Sequence, residues 1–217
     1  PLQIDIQSEI GQLNAVLLHT PGAEVENMTP KMAQRALYSD ILNLSIAQEE
    51  YKQLSGVLSK IANVYTVTDL LVKVLDNPVE RETLVRKICM TENLMEYYDT
   101  LMEMNSTRLA KALIEGLPAR INTLTSFLNE DYYALFPLYN FYFTRDAAVT
   151  IGNSALICKM ANKVRMRESL IMQAIYQGSG EFTCGIIDAY DHSPLNPNLF
   201  MEGGDILIAR EDVLLIG

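Results

Sequence analysis

Basic residues are in short supply: 17 Lys and Arg face 27 Asp and Glu, a formal net charge of −10. A general nucleic-acid binder neutralises phosphates with a basic stripe, so this balance excludes that class and suits a small cationic ligand better. Most individual acids are still expected to do no more than solvate the surface. Cysteine is limited to Cys89, Cys158 and Cys184, an odd set without CxxC spacing, and histidine to His19 and His192. So few ligands support neither a disulfide framework nor a zinc cluster; no metal and no cofactor is expected, and a reducing cytosol fits. Nowhere do ~18 apolar residues run uninterrupted, and Pro1-Leu2-Gln3-Ile4-Asp5 lacks the basic-then-apolar order of a secretory leader. The expectation is a cytoplasmic protein with no membrane anchor and no nucleic-acid partner.

What is present is the material of a globule. The 217 residues are 49% apolar and 20% charged, enough for a sizeable core in one domain or two. Leu13 to Leu18 is a compact apolar run ended by His19-Thr20-Pro21-Gly22, the pattern of a buried strand entering a turn. A helix is predicted after Thr29-Pro30 through Met32, Ala36 and Leu37, a second over Ser45 to Ile61, and a short strand over Val64 to Val67.

From Leu70 to Glu130 the character changes. Gly116 is the sole glycine there, and Leu, Met and Ile recur with charged residues at three-to-four spacing. Breaks at Asp76-Asn77-Pro78, Thr91-Glu92-Asn93, Asn105-Ser106-Thr107 and Gly116-Leu117-Pro118 divide the block into four or five short amphipathic helices, a small bundle inserted into a β-rich host. Beyond Pro137 strands return: Leu138 to Phe143, Ala147 to Ile151 and Ala155 to Cys158, then a helix over Lys163 to Tyr176 closed by Gly178, a strand over Phe182 to Ala189, and a hairpin of Ile206 to Ala209 with Val213 to Ile216. The domain division expected is 1–69, 70–130 and 131–217. Stopping directly after an apolar run, the chain reads as a cut piece of something longer.

Two acid-bearing segments stand out for chemistry: Phe143-Thr144-Arg145-Asp146 and Met201-Glu202-Gly203-Gly204-Asp205. Paired glycines let a backbone bend sharply or approach a ligand, and acids beside such a bend can be aimed into a cleft. A tight turn with solvated acids would have the same sequence.

The strings PLYNFYFTRD at Pro137 to Asp146 and MEGGD at Met201 to Asp205 resemble two signature segments of the arginine deiminases. LNAVLLHTPGAE at Leu13 to Glu24 looks like that family's opening strand and loop, ALYSDILN at Ala36 to Asn43 looks like its next segment, and the helical block lies where the family carries an α-helical insertion. The resemblance spans essentially the whole chain. It implies an α/β fold, a partial α/β propeller of pentein-like ββαβ units with an inserted α-helical bundle, and L-arginine as the small-molecule partner.

Carried over residue by residue, the resemblance puts Asp146 in a clamp on the guanidinium and Glu202 beside both guanidinium and catalytic histidine. Asp205 supports the Gly203-Gly204 bend on the substrate side, and Asn140, Phe143 and Arg165 hold the amino-acid end. A planar cation with a fork of N–H donors is naturally met by carboxylates. Arg165 reads equally well as a solvated arginine early in a helix that also carries Lys163 and Arg167, and Arg145, alternating to the opposite face, reads as structural.

The family's nucleophilic cysteine lies near its C-terminus and its histidine in its third quarter, regions with no counterpart here. Cys89, Cys158 and Cys184 read as buried apolar residues, and the fragment is expected to be inactive. Ser39 and Tyr51 depart from the family pattern. Two readings stay beside the first: another guanidino-modifying enzyme, an agmatine deiminase or dimethylarginine hydrolase, or a non-catalytic assembly module whose charged helical block serves a homo-oligomer.

Overall fold

In the computed structural model the described residues are 1–26, 42–119, 133–190 and 199–217. The helix expected at Met32 to Leu37, much of the Ala36 to Asn43 segment, and His192 lie outside them.

The helical block follows its caps. Helices of this length leave four N–H groups without partners at each start, and Asn, Ser or Thr side chains supply acceptors. Thr66 accepts from the Asp69 amide to open Val67–Asp76, Asn77 accepts from the amides of Val79 and Glu80 to open Pro78–Thr91, and Asn105 accepts from that of Arg108 to open Ser106–Glu115. Pro78 sits at the first helical turn, where its missing N–H does no harm. A short 3-10 turn at Met95–Tyr97 and the helix Tyr98–Met102 lie between the second and third of these helices. Each anticipated break is therefore a real one. Gly116 ends the helix Ser106–Glu115 at φ 94, a left-handed conformation that L side chains rarely adopt, and a Cβ there would lie 2.8 Å from the Leu135 carbonyl oxygen.

The block does not stand apart from its host. Val67–Asp76 packs on Ser106–Glu115 and on the later helix Met166–Gly178. One buried cluster runs from Val67, Leu71 and Leu113 through Phe141 and Ile157 to Ile171 and Ile175. Removing that much apolar surface from water is the main stabilising term.

The host is mixed α/β, built from small open sheets. Ala15–Leu18 pairs in parallel with Asn63–Thr66 across the helix Leu44–Leu58, a βαβ unit. Ala148–Ile151 and Ser154–Ile157 form an antiparallel hairpin, and Ser154–Ile157 pairs in parallel with Gly185–Asp188 after the helix Met166–Gly178, which completes one ββαβ unit. Parallel neighbours need such a crossover, and the helix then covers the sheet face. Leu2–Gln3 pairs with Phe182–Thr183, Leu117–Pro118 with Tyr133–Leu135, and Ile206–Arg210 with Val213–Ile216. None of these sheets closes among the described residues. No helix among them is long and apolar enough to cross a membrane.

Two strand expectations change. Leu138 to Phe143 is a succession of turns, with Phe141 N–H donating to Leu138 O, Phe143 to Asn140 O and Asp146 to Phe143 O, followed by the short helix Thr144–Ala147. A strand buried on one face alternates, whereas Leu138, Tyr139, Asn140 and Phe141 are all buried in sequence; aromatic content imitated a strand that the turns replace. Phe182 to Ala189 is two strands in different sheets, divided at Cys184.

Candidate functional site

The two acid-bearing segments meet through Arg145. From the short helix Thr144–Ala147 its Nε donates to Gly203 O at 3.1 Å and its Nη2 to Ile206 O at 2.8 Å. The same guanidinium reaches Glu9 at 2.7 Å, and Glu9 accepts the Ile208 amide at 3.0 Å. That Arg145 hydrogen bond, followed by the Ile208 amide, outweighs burial and lowers the Glu9 pKa from the usual carboxylate range. Arg145 thus ties the N-terminal segment, the Gly203–Asp205 turn and the hairpin strand Ile206–Arg210 into one piece. The structural role expected for it agrees, although it sits on a helix and not a strand.

With Arg145 turned to that scaffold, Asp146 points elsewhere. Its Oδ2 accepts from Arg165 Nη1 at 3.0 Å, and Glu202 Oε2 lies 3.7 Å from the same nitrogen. Both carboxylates are about a quarter exposed, so they border solvent while converging on one guanidinium group. The other oxygen of Glu202 accepts the Ala161 amide at 3.0 Å, and the Glu202 amide donates to Asp205 Oδ2 at 2.9 Å. Asp205 therefore braces the turn from which Glu202 projects.

Arg165 is nearly buried. Asn162 caps the 3-10 turn that carries it into the helix Met166–Gly178. Its Nη2 lies 3.5 Å from Asn140 O, so the buried Asn140 shares the neighbourhood through its backbone. The alternative of a solvated arginine is excluded. Phe143 is about half exposed and stacks against Tyr142 with centroids 4.3 Å apart. Its backbone belongs to the turns that present Asp146, whose amide donates to Phe143 O at 3.1 Å.

Sequence reasoning passed over Glu168. It lies one turn after Arg165, almost wholly buried, and accepts from Arg165 Nε at 3.1 Å and Nη2 at 2.8 Å. Burial pushes its carboxyl up to about 7, against the lowering effect of Arg165. For Arg165 burial opposes the charge, but the hydrogen bond and charge of Glu168, then of Asp146, win and raise its pKa further. An arginine and a glutamate three apart at a helix start was the available signal.

His19 stands in a separate buried cluster. Its Nε2 is 2.9 Å from Glu24 Oε1, its amide donates to Tyr51 Oη, and its ring packs on Phe141. None of the three cysteines enters the acid cluster as a ready nucleophile. Burial pushes the Cys158 thiol up to about 12 and raises Cys89 and Cys184 as well.

The chain matches the family model described as arginine deiminase over residues 34–217. It is 35% identical to an arginine deiminase of Pediococcus pentosaceus, covering 99% of this chain and 55% of that protein. An arginine deiminase of Listeria monocytogenes is 33% identical with the same coverages, and one of Streptococcus agalactiae is 31% identical over 99% of this chain and 56% of the relative. The chain spans about half the length of the curated relatives it matches.

Proposed function

The chain belongs to the arginine deiminase family, and from that premise we propose that it carries the guanidinium-recognising half of an enzyme hydrolysing L-arginine to L-citrulline and ammonia. One observation supports this most directly. Asp146 and Glu202, from segments far apart in sequence, converge on a guanidinium group already in the molecule, that of Arg165. Two carboxylates that converge on one N–H corner of a guanidinium, Arg165 Nη1, offer the same charge and acceptors to a second guanidinium.

In this reading Asp146 holds the substrate guanidinium, Glu202 flanks it, Asp205 supports Glu202, and Asn140, Phe143 and Arg165 lie toward the amino-acid end. A cysteine thiolate attacks the central guanidinium carbon, ammonia leaves with a proton from a histidine, and water releases citrulline. In this reading both groups come from outside the 217 residues. Cys89, Cys158 and Cys184 are poor candidates for that thiolate, since burial holds each one protonated. The 217 residues by themselves therefore give no citrulline. The ββαβ unit is read as one blade of a pentein-like propeller with residues 70–130 as an inserted bundle, in a cytoplasmic enzyme that is open to forming a homo-oligomer.

Calorimetric titration of the chain with L-arginine and with methylguanidine tests the recognition step. Saturable binding of both, weakened at least about tenfold by Asp146→Asn, is the expected result. Absence of methylguanidine binding would remove the basis of the assignment.

A further inference from the structure

A guanidinium carries five N–H donors in a rigid fork, so how they are shared decides what its neighbours have left to offer. Glu168 takes one whole edge of Arg165, accepting from Nε at 3.1 and 3.2 Å and from Nη2 at 2.8 Å. Nη2 also leans toward Asn140 O. What reaches the exposed acids is a single nitrogen, Nη1, at 3.0 Å from Asp146 and 3.7 Å from Glu202. Asp146 and Glu202 are each about a quarter exposed, whereas Glu168 is shut away from solvent. The paired edge of Arg165 is thus spent on an acid that no external ligand can reach.

Were that edge free, the strongest arrangement open to Arg165 would be a two-pronged contact with Asp146, which would leave the carboxylate little attraction for another cation. We propose that Glu168 is a positioning residue: by claiming the Nε/Nη2 edge of Arg165 it leaves Asp146 and Glu202 half-satisfied, open to a second guanidinium that comes from outside. The inference deepens the functional reading above and rests on it. It also gives a role to a carboxylate that sits where burial disfavours its charge.

The test titrates methylguanidine, which has a guanidinium and no carboxylate, into the chain and two variants. In Glu168→Gln the freed edge of Arg165 turns to Asp146, and methylguanidine affinity falls at least about tenfold. In the double variant Arg165→Met/Glu168→Met both buried charges are gone, an exchange that folds often tolerate, and affinity returns to the parent value or exceeds it because no internal cation competes. A merely structural Glu168 gives no such recovery. Parent-like binding by Glu168→Gln overturns the proposal, as does a double variant that binds more weakly than the single one. If the parent chain itself fails to bind methylguanidine, the reading of Asp146 and Glu202 falls first; if it binds and Glu168→Gln binds equally, only the role of Glu168 falls.

Discussion

Gly203 and Arg145 lie closer than a side chain would permit. Arg145 Nε donates to Gly203 O at 3.1 Å, and a Cβ built on Gly203 would lie 1.9 Å from the Arg145 carbonyl oxygen. The obstacle is backbone, which cannot swing aside as the end of a flexible side chain can. The neighbouring Gly204 differs, since the nearest atom to its Cβ would be Asp146 Oδ1 at 3.7 Å, an ordinary contact.

Two adjacent glycines therefore respond unequally to the same change. Gly203→Ala is expected to lose about 3 kcal/mol or more of stability, or to fail to fold, while Gly204→Ala stays within about 1 kcal/mol of the parent. Urea unfolding curves of the two variants measure this, and equal midpoints would contradict the close approach.

The acids should also respond unequally. Asp146 meets Arg165 Nη1 at 3.0 Å, whereas Glu202 stands 3.7 Å away and has its second oxygen bound to the Ala161 amide. Asp146→Asn should weaken methylguanidine binding at least about tenfold and Glu202→Gln by a smaller factor. Calorimetry on the two variants decides it, and a larger effect at Glu202 would reverse the assigned order.

What was legible in the sequence was what local chemistry determines. The helix boundaries at Asn77-Pro78 and Asn105 were readable because capping acts within a turn, and the Ile206–Arg210 hairpin because alternation and a polar turn lie side by side. The turns at Leu138 to Phe143 were misread because aromatic side chains favour strands and buried turns alike. Asp146 and Glu202 could be picked out, but not what they face. Glu9 lies 136 residues from Arg145 and has no motif around it, and Glu168 gains meaning only once the fold brings Asp146 to Arg165.

Thiol reactivity separates the cysteines by burial. The thiolate is the reactive form, and burial raises the pKa of all three, that of Cys158 to about 12. Cys89 and Cys158 are buried and Cys184 is partly exposed. Iodoacetamide at about pH 8.5 should modify Cys184 first and slowly, and the other two only after denaturant is added. Peptide mass mapping at timed quenches reads the order, and rapid native labelling of Cys158 would contradict it.

Two glutamates should bend the stability–pH curve in opposite directions. Glu9 has a folded pKa below its ordinary 4.5, chiefly through the Arg145 hydrogen bond, so the folded state releases its proton more readily than the unfolded chain does. Its contribution is fully present above 4.5 and is lost as pH falls through the lower folded value. Glu168 has a folded pKa pushed by burial from 4.5 up to about 7, so between those values the folded state binds more protons than the unfolded one. Its contribution is present below 4.5 and is lost as pH rises through about 7. Subtracting the unfolding free energy of Glu9→Gln from that of the parent should leave a difference that grows with pH and levels off above 4.5. The same subtraction for Glu168→Gln should leave one that shrinks from 4.5 to about 7 and is flat beyond. Other titrating groups largely cancel in each difference. Urea titrations at closely spaced pH values supply both curves. Slopes of the same sign would show that Glu168 is held ionised by Arg165 throughout, with its burial overcome.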